Sequence, residues 1–304
     1  MRVFVAGATG VIGTPLVPQL LQAGHDVTAM TRSVLRAAQL EALGAHPVVC
    51  DVFDAEGVRA AMADASPEAV IHQLTALPAR LDWGDPHVFD ANNRVRIEGT
   101  RVLVDAALAT GARRVVAQSI AFAYAPTGDR VKEEDAALFL DAPPPFGGAV
   151  AAIVELEQRV TGTAGIEGLV LRYGMVYGPG TYYDRRGSTA ADVIAARVPL
   201  VEGATGLYSW LHAEDAASAA VAALERGAPG IYNVVDDEPA PQPEWLPVLA
   251  QALRADPPPA AETLPPPETP VMSLRGACNA KAKRELGWRP RYANWREGFA
   301  ASLA

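Results

Sequence analysis

The chain opens on a strand that runs straight into a glycine turn, and that junction narrows the fold more than any other feature. Residues 2–6 are apolar, Gly7-Ala8-Thr9-Gly10-Val11-Ile12-Gly13 follows, and 11–23 then carries a helical pattern closed by Gly24. A glycine pattern loose in a sequence means little; between a strand and a helix each glycine has a mechanical task. Gly7 permits the tight turn, Gly10 lets the backbone approach a pyrophosphate, and Gly13 allows the helix to pack on the strand. The free N–H groups and positive dipole end of the helix then face the phosphates. Gly7, Thr9, Gly10, Val11, Ile12 and Gly13 are the expected cradle of a dinucleotide, in preference to a βα turn with no ligand. Pro18, inside the helix, is expected to kink it or cost it a hydrogen bond.

Strand-like runs at 26–30, 47–50, 69–74, 114–118 and 168–171 alternate with helical patterns. One helix is capped by Ser33 and runs to 43 with Gly44 as its stop; others cover 55–65, 88–110 and 149–161. Strands apolar on both faces, in strict alternation with helices, indicate a parallel sheet with right-handed crossovers. The expected fold class is α/β, a doubly wound parallel Rossmann sheet with a small C-terminal substrate-binding cap. Residues 1–172 form the NAD(P)-binding part and 173–304 mainly the cap, with 212–236 returning to the Rossmann part. Within 173–304, helices are expected at 189–197, 214–226, 243–254, 279–286 and 295–304, and a strand at 230–235. The proline-rich stretch 256–270 is expected to be a loop.

Half of the 304 residues are apolar and a fifth are charged, which suits a globular enzyme. A net charge of −9 argues against nucleic acid, whose binding relies on clustered Lys and Arg. Cys50 and Cys278 have no metal or disulfide spacing, the five histidines have no ligand spacing, and no metal is expected. With neither a secretory leader nor a membrane-length apolar run, a cytoplasmic location is expected.

The end of the second strand decides which dinucleotide is favoured. An NAD site usually carries an acidic residue about 20 residues past the glycines. Here the run is Thr28-Ala29-Met30-Thr31-Arg32-Ser33, with no carboxylate and a guanidinium suited to a 2′-phosphate. NADP(H) is therefore expected as the preferred cofactor, with NAD(H) as the alternative. Asp51 is read as an acceptor for the adenine amino group with Val52 against the ring, and Asp54 as the cap of the next helix.

Together these residues resemble the extended short-chain dehydrogenase/reductases of the NAD-dependent epimerase/dehydratase group, over nearly the whole chain. Beside the glycine turn and Asp51-Val52, the resemblance rests on Ala69-Val70-Ile71-His72-Gln73-Leu74 and Glu98-Gly99-Thr100. It continues through Leu171-Arg172-Tyr173-Gly174-Met175-Val176-Tyr177-Gly178-Pro179 and Trp210-Leu211-His212-Ala213-Glu214-Asp215. Tyr232-Asn233-Val234 and Leu286-Gly287-Trp288-Arg289-Pro290 complete it. It implies that Leu74, Thr75, Ser119 and Tyr173 join the cofactor set, and that a homodimer forms through the helices at 88–110 and 149–161.

The chemistry departs from the family. Its Tyr-x-x-x-Lys pair, which handles the substrate proton and the nicotinamide ribose, aligns with Phe146 and Val150. Phenylalanine exchanges no proton and valine donates no hydrogen bond. The family's Ser or Thr aligns with Ile120, and an asparagine on the long helix with Arg96. Ser119 and Tyr124 are then the candidate catalytic groups, and Phe146, Tyr177 and Trp210 the candidate substrate wall. Tyr173, Tyr182 and Tyr183 are further candidate donors, while His72 and His212 read better as structural. An aromatic lining suits an apolar or aromatic ketone or enone. The expected function is an NADP(H)-dependent oxidoreductase acting on a small carbonyl or hydroxyl compound, as a reductase or through transient oxidation. The alternative is a non-catalytic NAD(P)-binding regulatory protein.

Overall fold

The computed structural model describes residues 1–267 and 269–303; Glu268, within the stretch expected to be a loop, and Ala304, the last residue of the expected closing helix, lie outside the described residues. Seven strands make the main sheet: β1 (Arg2–Ala6), β2 (Asp26–Thr31), β3 (His46–Val49), β4 (Ala69–His72), β5 (Arg114–Ile120), β6 (Glu167–Tyr173) and β7 (Gly230–Val234). Their order is β7-β6-β5-β4-β1-β2-β3, and every pairing is parallel. The strand order reverses between β1 and β4, which opens a crevice at their carboxyl ends where such sheets bind ligands.

Alternate residues of each strand feed different cores, as a period of two requires. Val3, Val5 and Ile71 pack under α1 (Gly13–Gln22), whereas Phe4, Ala6 and Val70 pack with residues of α3 (Ala55–Ala65) and α4. Between them lies α2 (Val34–Ala42), whose cap is Ser33 Oγ accepting from the Arg36 N–H at 3.4 Å. Asp54 caps α3 through the Gly57 N–H at 3.0 Å. Helix α1 begins at Gly13 and runs on through Pro18, which lies on its exposed side.

Helix α4 covers residues 90–110 and opens into a π turn at Val95–Gly99. Helix α5 (Phe146–Gly162) starts three residues before its expected position. The Pro143 carbonyl accepts the Phe146 and Gly147 N–H groups, at 3.0 and 3.3 Å, so the proline run leads into the helix instead of breaking it.

Beyond β6 come α6 (Ser188–Ile194), α7 (Ala213–Glu225), α8 (Gln242–Leu253) and α9 (Trp295–Leu303). Ala216, Ala217, Ala219, Ala220 and Ala223 of α7 are fully buried in the core that α1 shares. The expected helix at 279–286 is a π turn over Ala282–Leu286. Tyr177, Trp210, Trp245, Trp295 and Phe299 form a separate aromatic core with Leu246, Leu249 and Leu253. No helix among the described residues is long and apolar enough to cross a membrane.

Candidate active site

The glycine turn is built for close approach. Gly7 holds φ +93°, and a methyl group there would meet the Gln73 carbonyl carbon at 2.6 Å. On Gly13 it would lie 2.1 Å from the Gly7 oxygen, so helix and turn meet with no room for a side chain. At Gly10 the nearest atom would be 3.4 Å away and the residue is exposed: this is the open side of the turn. No side chain caps the start of α1; the Thr14 N–H donates to the Gly10 carbonyl at 2.9 Å and Pro15 has none, which leaves the N–H groups of Val11, Ile12 and Gly13 as the open donors of the turn. Ile12 sends its side chain into the core while Val11 lies on the surface. These features fit a dinucleotide pyrophosphate.

At the ribose end, Arg32 is 74 % exposed and stands 3.9 Å from Asp51 Oδ2. An exposed pair at that distance is worth little and leaves the guanidinium free to turn toward a ligand. Sequence reading missed Arg36, one helical turn further on, whose Nη1 donates to the Thr9 carbonyl at 2.6 Å. The i, i+4 spacing from Arg32 was the available signal. Asp51 Oδ1 accepts the Phe53 N–H at 3.0 Å. Val52 turns inward: it is buried in the core against Gly99 of the π turn, so its side chain does not face an adenine ring.

The expected catalytic pair is not brought to the crevice. Ser119, on the last turn of β5, is buried and donates its proton to Glu157 Oε1 at 2.7 Å. Arg172 holds the same carboxylate through Nε at 2.8 Å and Nη2 at 2.6 Å. Tyr124 is equally buried, donating to Asn233 Oδ1 at 2.7 Å and accepting from Arg172 Nη1 at 2.9 Å. Both hydroxyls belong to one buried network that ties β5, β6, β7 and α5 together, and burial pushes the Tyr124 phenol up. Tyr173 is a third such strut, accepting from Gln73 Nε2 at 3.0 Å and donating to the Ala216 carbonyl at 3.3 Å. All three hydroxyls are thus hydrogen-bonded within the protein.

The expected substrate wall also changes. Tyr177 and Trp210 lie inside the cap's aromatic core, their ring centroids 6.2 Å apart, with Phe299 about them both. The C-terminal region fills its core with stacked rings, which is why aromatics cluster there in the sequence. Phe146 is half-buried at the start of α5. Trp83, half exposed in the loop after β4, lies 6.3 Å from it and 5.6 Å from Phe89. That loop is tied down by Arg80 to Asp192 at 2.5 Å and by Tyr182 Oη to the Pro78 carbonyl at 2.7 Å. Thr75 is exposed at its base, and the Leu74 carbonyl accepts from Gln118 at 3.0 Å.

Val150 is fully buried with Ala123 and Ile153, and Phe146 packs beside them. His72 bonds Thr100 at 3.1 Å and accepts the Leu74 N–H at 3.2 Å. Burial, aided by the Arg96 charge, pushes His72 down to about 4, so it is neutral at pH 7. His212 caps α7 by accepting the Glu214 N–H at 3.2 Å. Phe146 and Val150 thus stand among hydrocarbon, while Ser119, Tyr124 and His72 are engaged in hydrogen bonds.

Comparison with known proteins places these features. Residues 3–234 match the NAD dependent epimerase/dehydratase family. The 3-diazoavenalumate denitrifying reductase of a Streptomyces species is 49 % identical over 98 % of this chain and 99 % of its own. The Thermus thermophilus UDP-glucose 4-epimerase, solved in complex with NAD, is 25 % identical, with TM-score 0.74 over 100 % of this chain and 98 % of its own. The Thermotoga maritima UDP-glucose 4-epimerase, solved with UDP-glucose, shares the fold at TM-score 0.80 and 20 % identity, over 100 % and 97 % of the two chains.

Proposed function

Because this chain belongs to the NAD dependent epimerase/dehydratase family, we propose that it is a reductase that delivers hydride without delivering a proton, removing a diazo group from a flat unsaturated acid. The chain is an oxidoreductase enzyme with a nicotinamide cofactor, not a non-catalytic regulator, since a relative 49 % identical over 98 % of it is a reductase. What carries the finer reading is the apolar relay position, with Phe146 and Val150 where the family's tyrosine and lysine belong.

Reduction of a carbonyl needs both a hydride on carbon and a proton on oxygen. A general acid typically supplies that proton with a gain of about 10²–10⁴ in rate. Replacement of a diazonium group needs neither an acid nor an oxyanion site: R–N₂⁺ + H⁻ → R–H + N₂. The hydride adds to the carbon, the C–N bond breaks, and the pair of electrons leaves in dinitrogen. A nicotinamide dinucleotide, its pyrophosphate held at the glycine turn, would supply the hydride and end oxidised. This chain's own residues then have three tasks. The turn and Arg36 fix the dinucleotide; Trp83, Phe89 and Phe146 hold a flat ring by its faces and edges; and the buried hydrocarbon around Val150 keeps water from the reacting carbon. A ketone or enone, the class expected from the aromatic content alone, would lack its proton donor in such a site.

NADP(H) preference belongs to the same proposal. Arg32 and Arg36 stand at the end of β2 and the start of α2, and no carboxylate follows β2 directly; Asp51 approaches from the end of β3.

An isotope experiment tests the reading. With an arenediazonium carboxylate and NADPH deuterated at the reactive face of C4, one deuterium is expected on the product carbon with one N₂ released per NADPH consumed. Solvent D₂O should leave no label there. Deuterium entering from solvent, or NADPH oxidation without N₂, would sink the proposal.

A further inference from the structure

Arg96 has no part in the hydride chemistry, yet it is the most costly side chain in the site. It sits on the π turn of α4 with 9 % of its surface exposed. Among the described residues it meets no hydrogen-bond acceptor and no carboxylate within ion-pair reach. The carboxylate whose field reaches it is Glu157, whose oxygens already accept from Arg172 Nε, Arg172 Nη2 and Ser119 Oγ. Burial pushes the guanidinium down to about 10, which still leaves it charged at neutral pH. Withdrawing an unpaired cation from water is unfavourable, and buried charges in folded chains normally find a partner.

A second unsatisfied donor lies one helical turn earlier. Asn92 is completely buried; its Oδ1 accepts the Ala76 N–H at 3.0 Å, and its Nδ2 has no partner. Residues four apart on a helix share a face. Asn92 and Arg96 therefore place an amide N–H₂ and a guanidinium along one side of α4, both short of an acceptor. Asn93 Oδ1, also buried and unbonded, leaves one acceptor beside them for a hydroxyl or a water. The same helix starts directly after Phe89, whose ring lies 5.6 Å from that of Trp83, and Trp83 lies 6.3 Å from Phe146 at the start of α5.

We propose that Arg96, with Asn92 Nδ2, is the anion anchor of the substrate pocket and takes a carboxylate of the substrate. The assignment rests on reading the crevice as a substrate site, and it adds the class: an acid whose flat apolar body lies against Trp83 and Phe146. A carboxylate suits the donors because its two oxygens can accept the guanidinium fork and the amide together. Charge neutralisation on binding then recovers part of what the empty anchor costs.

The test needs no turnover. Trans-cinnamate and trans-cinnamamide share one flat skeleton and differ in charge, and each is titrated calorimetrically into protein saturated with NADP⁺. The wild-type protein is expected to bind the acid at least tenfold more tightly than the amide, about 1.4 kcal/mol. Arg96→Gln should erase that preference while leaving the amide's affinity unchanged, and Arg96→Lys should keep part of it. Asn92→Asp, which sets a carboxylate in the anchor, should reject the acid and still take the amide; it serves where Arg96→Gln does not fold. A wild-type protein with no preference for the acid, including one that binds neither probe at millimolar concentration, overturns the proposal. So does a preference that survives intact in folded Arg96→Gln. Failure of N₂ release with an intact acid preference would remove the diazo reading and leave the anchor standing; the converse result would do the opposite.

Discussion

The two ends of the crevice are built from the same kinds of element, a strand, a turn and a helix, yet they carry function in different ways. At β1–α1 the work is done by backbone: N–H groups, a helix dipole and the absence of side chains at Gly7 and Gly13. At β5–α5 it would be done by side chains, and there the chain has replaced them. Phe146 and Val150 fill the relay position with hydrocarbon, and Ser119 is tied to Glu157. A backbone site tolerates drift everywhere except at its glycines. A side-chain site can be rewritten by a few substitutions without disturbing the fold.

The sharpest way to break the contrast is at Gly13. Gly13→Ala puts a methyl group 2.1 Å from the Gly7 carbonyl oxygen, so either turn or helix must move. Cofactor affinity, read by nicotinamide fluorescence, is expected to fall by about 100-fold or more, near 3 kcal/mol. Ordinary NADPH binding in this variant would mean that the backbone cradle is not the phosphate site.

Restoring the relay is the complementary experiment. Phe146→Tyr with Val150→Lys is expected to give no gain in hydride transfer to a diazo acid. It should also cost about 3 kcal/mol of stability, because Val150 is fully buried and a lysine there loses its hydration. A rate gain in the double variant would show that a proton donor is needed after all.

His72 sharpens the comparison from the stability side. Its folded form takes up a proton only near pH 4, against 6.5 in the unfolded chain. The unfolded state therefore binds more protons between these values, and stability must fall as pH drops from 6.5 towards 4. The loss is on the order of 3 kcal/mol, measurable as urea midpoint against pH. His72→Gln, which can still bond Thr100, should flatten that profile.

The smallest expected effect is at the ribose end. Arg32→Glu should weaken NADPH at least tenfold more than NADH, about 1.4 kcal/mol, and Arg36→Ala should do so less. Equal losses for both cofactors would remove the NADP(H) preference and leave the pyrophosphate site as it is.

The sheet was legible because its signals are local. Apolar runs, glycine stops and the caps at Ser33 and Asp54 each act within a few residues, so the strand–helix rhythm could be read directly. The substrate wall was not legible, for two opposite reasons. Tyr177 and Trp210 look alike as pocket residues and as core residues until packing decides, and packing put them inside the cap. Trp83 is a lone aromatic in an irregular loop, with no periodicity to single it out, and only the return of the chain beside α5 brings it to Phe146. Arg96 stood out in sequence as a departure from the family, but its lack of a partner is a property of everything packed around it.

The sequence by itself determined the doubly wound sheet and the glycine turn that joins its first strand to its first helix, because each depends on residue type and short-range spacing. Only the tertiary structure decided that Ser119 and Tyr124 are hydrogen-bonded in one buried network, that Trp83 stands beside Phe146, and that Arg96 is buried with no hydrogen-bond partner among the described residues. Those outcomes depend on which groups meet across long stretches of chain, and in a low-dielectric interior the meeting fixes whether a polar group is free, spent or in want of a ligand.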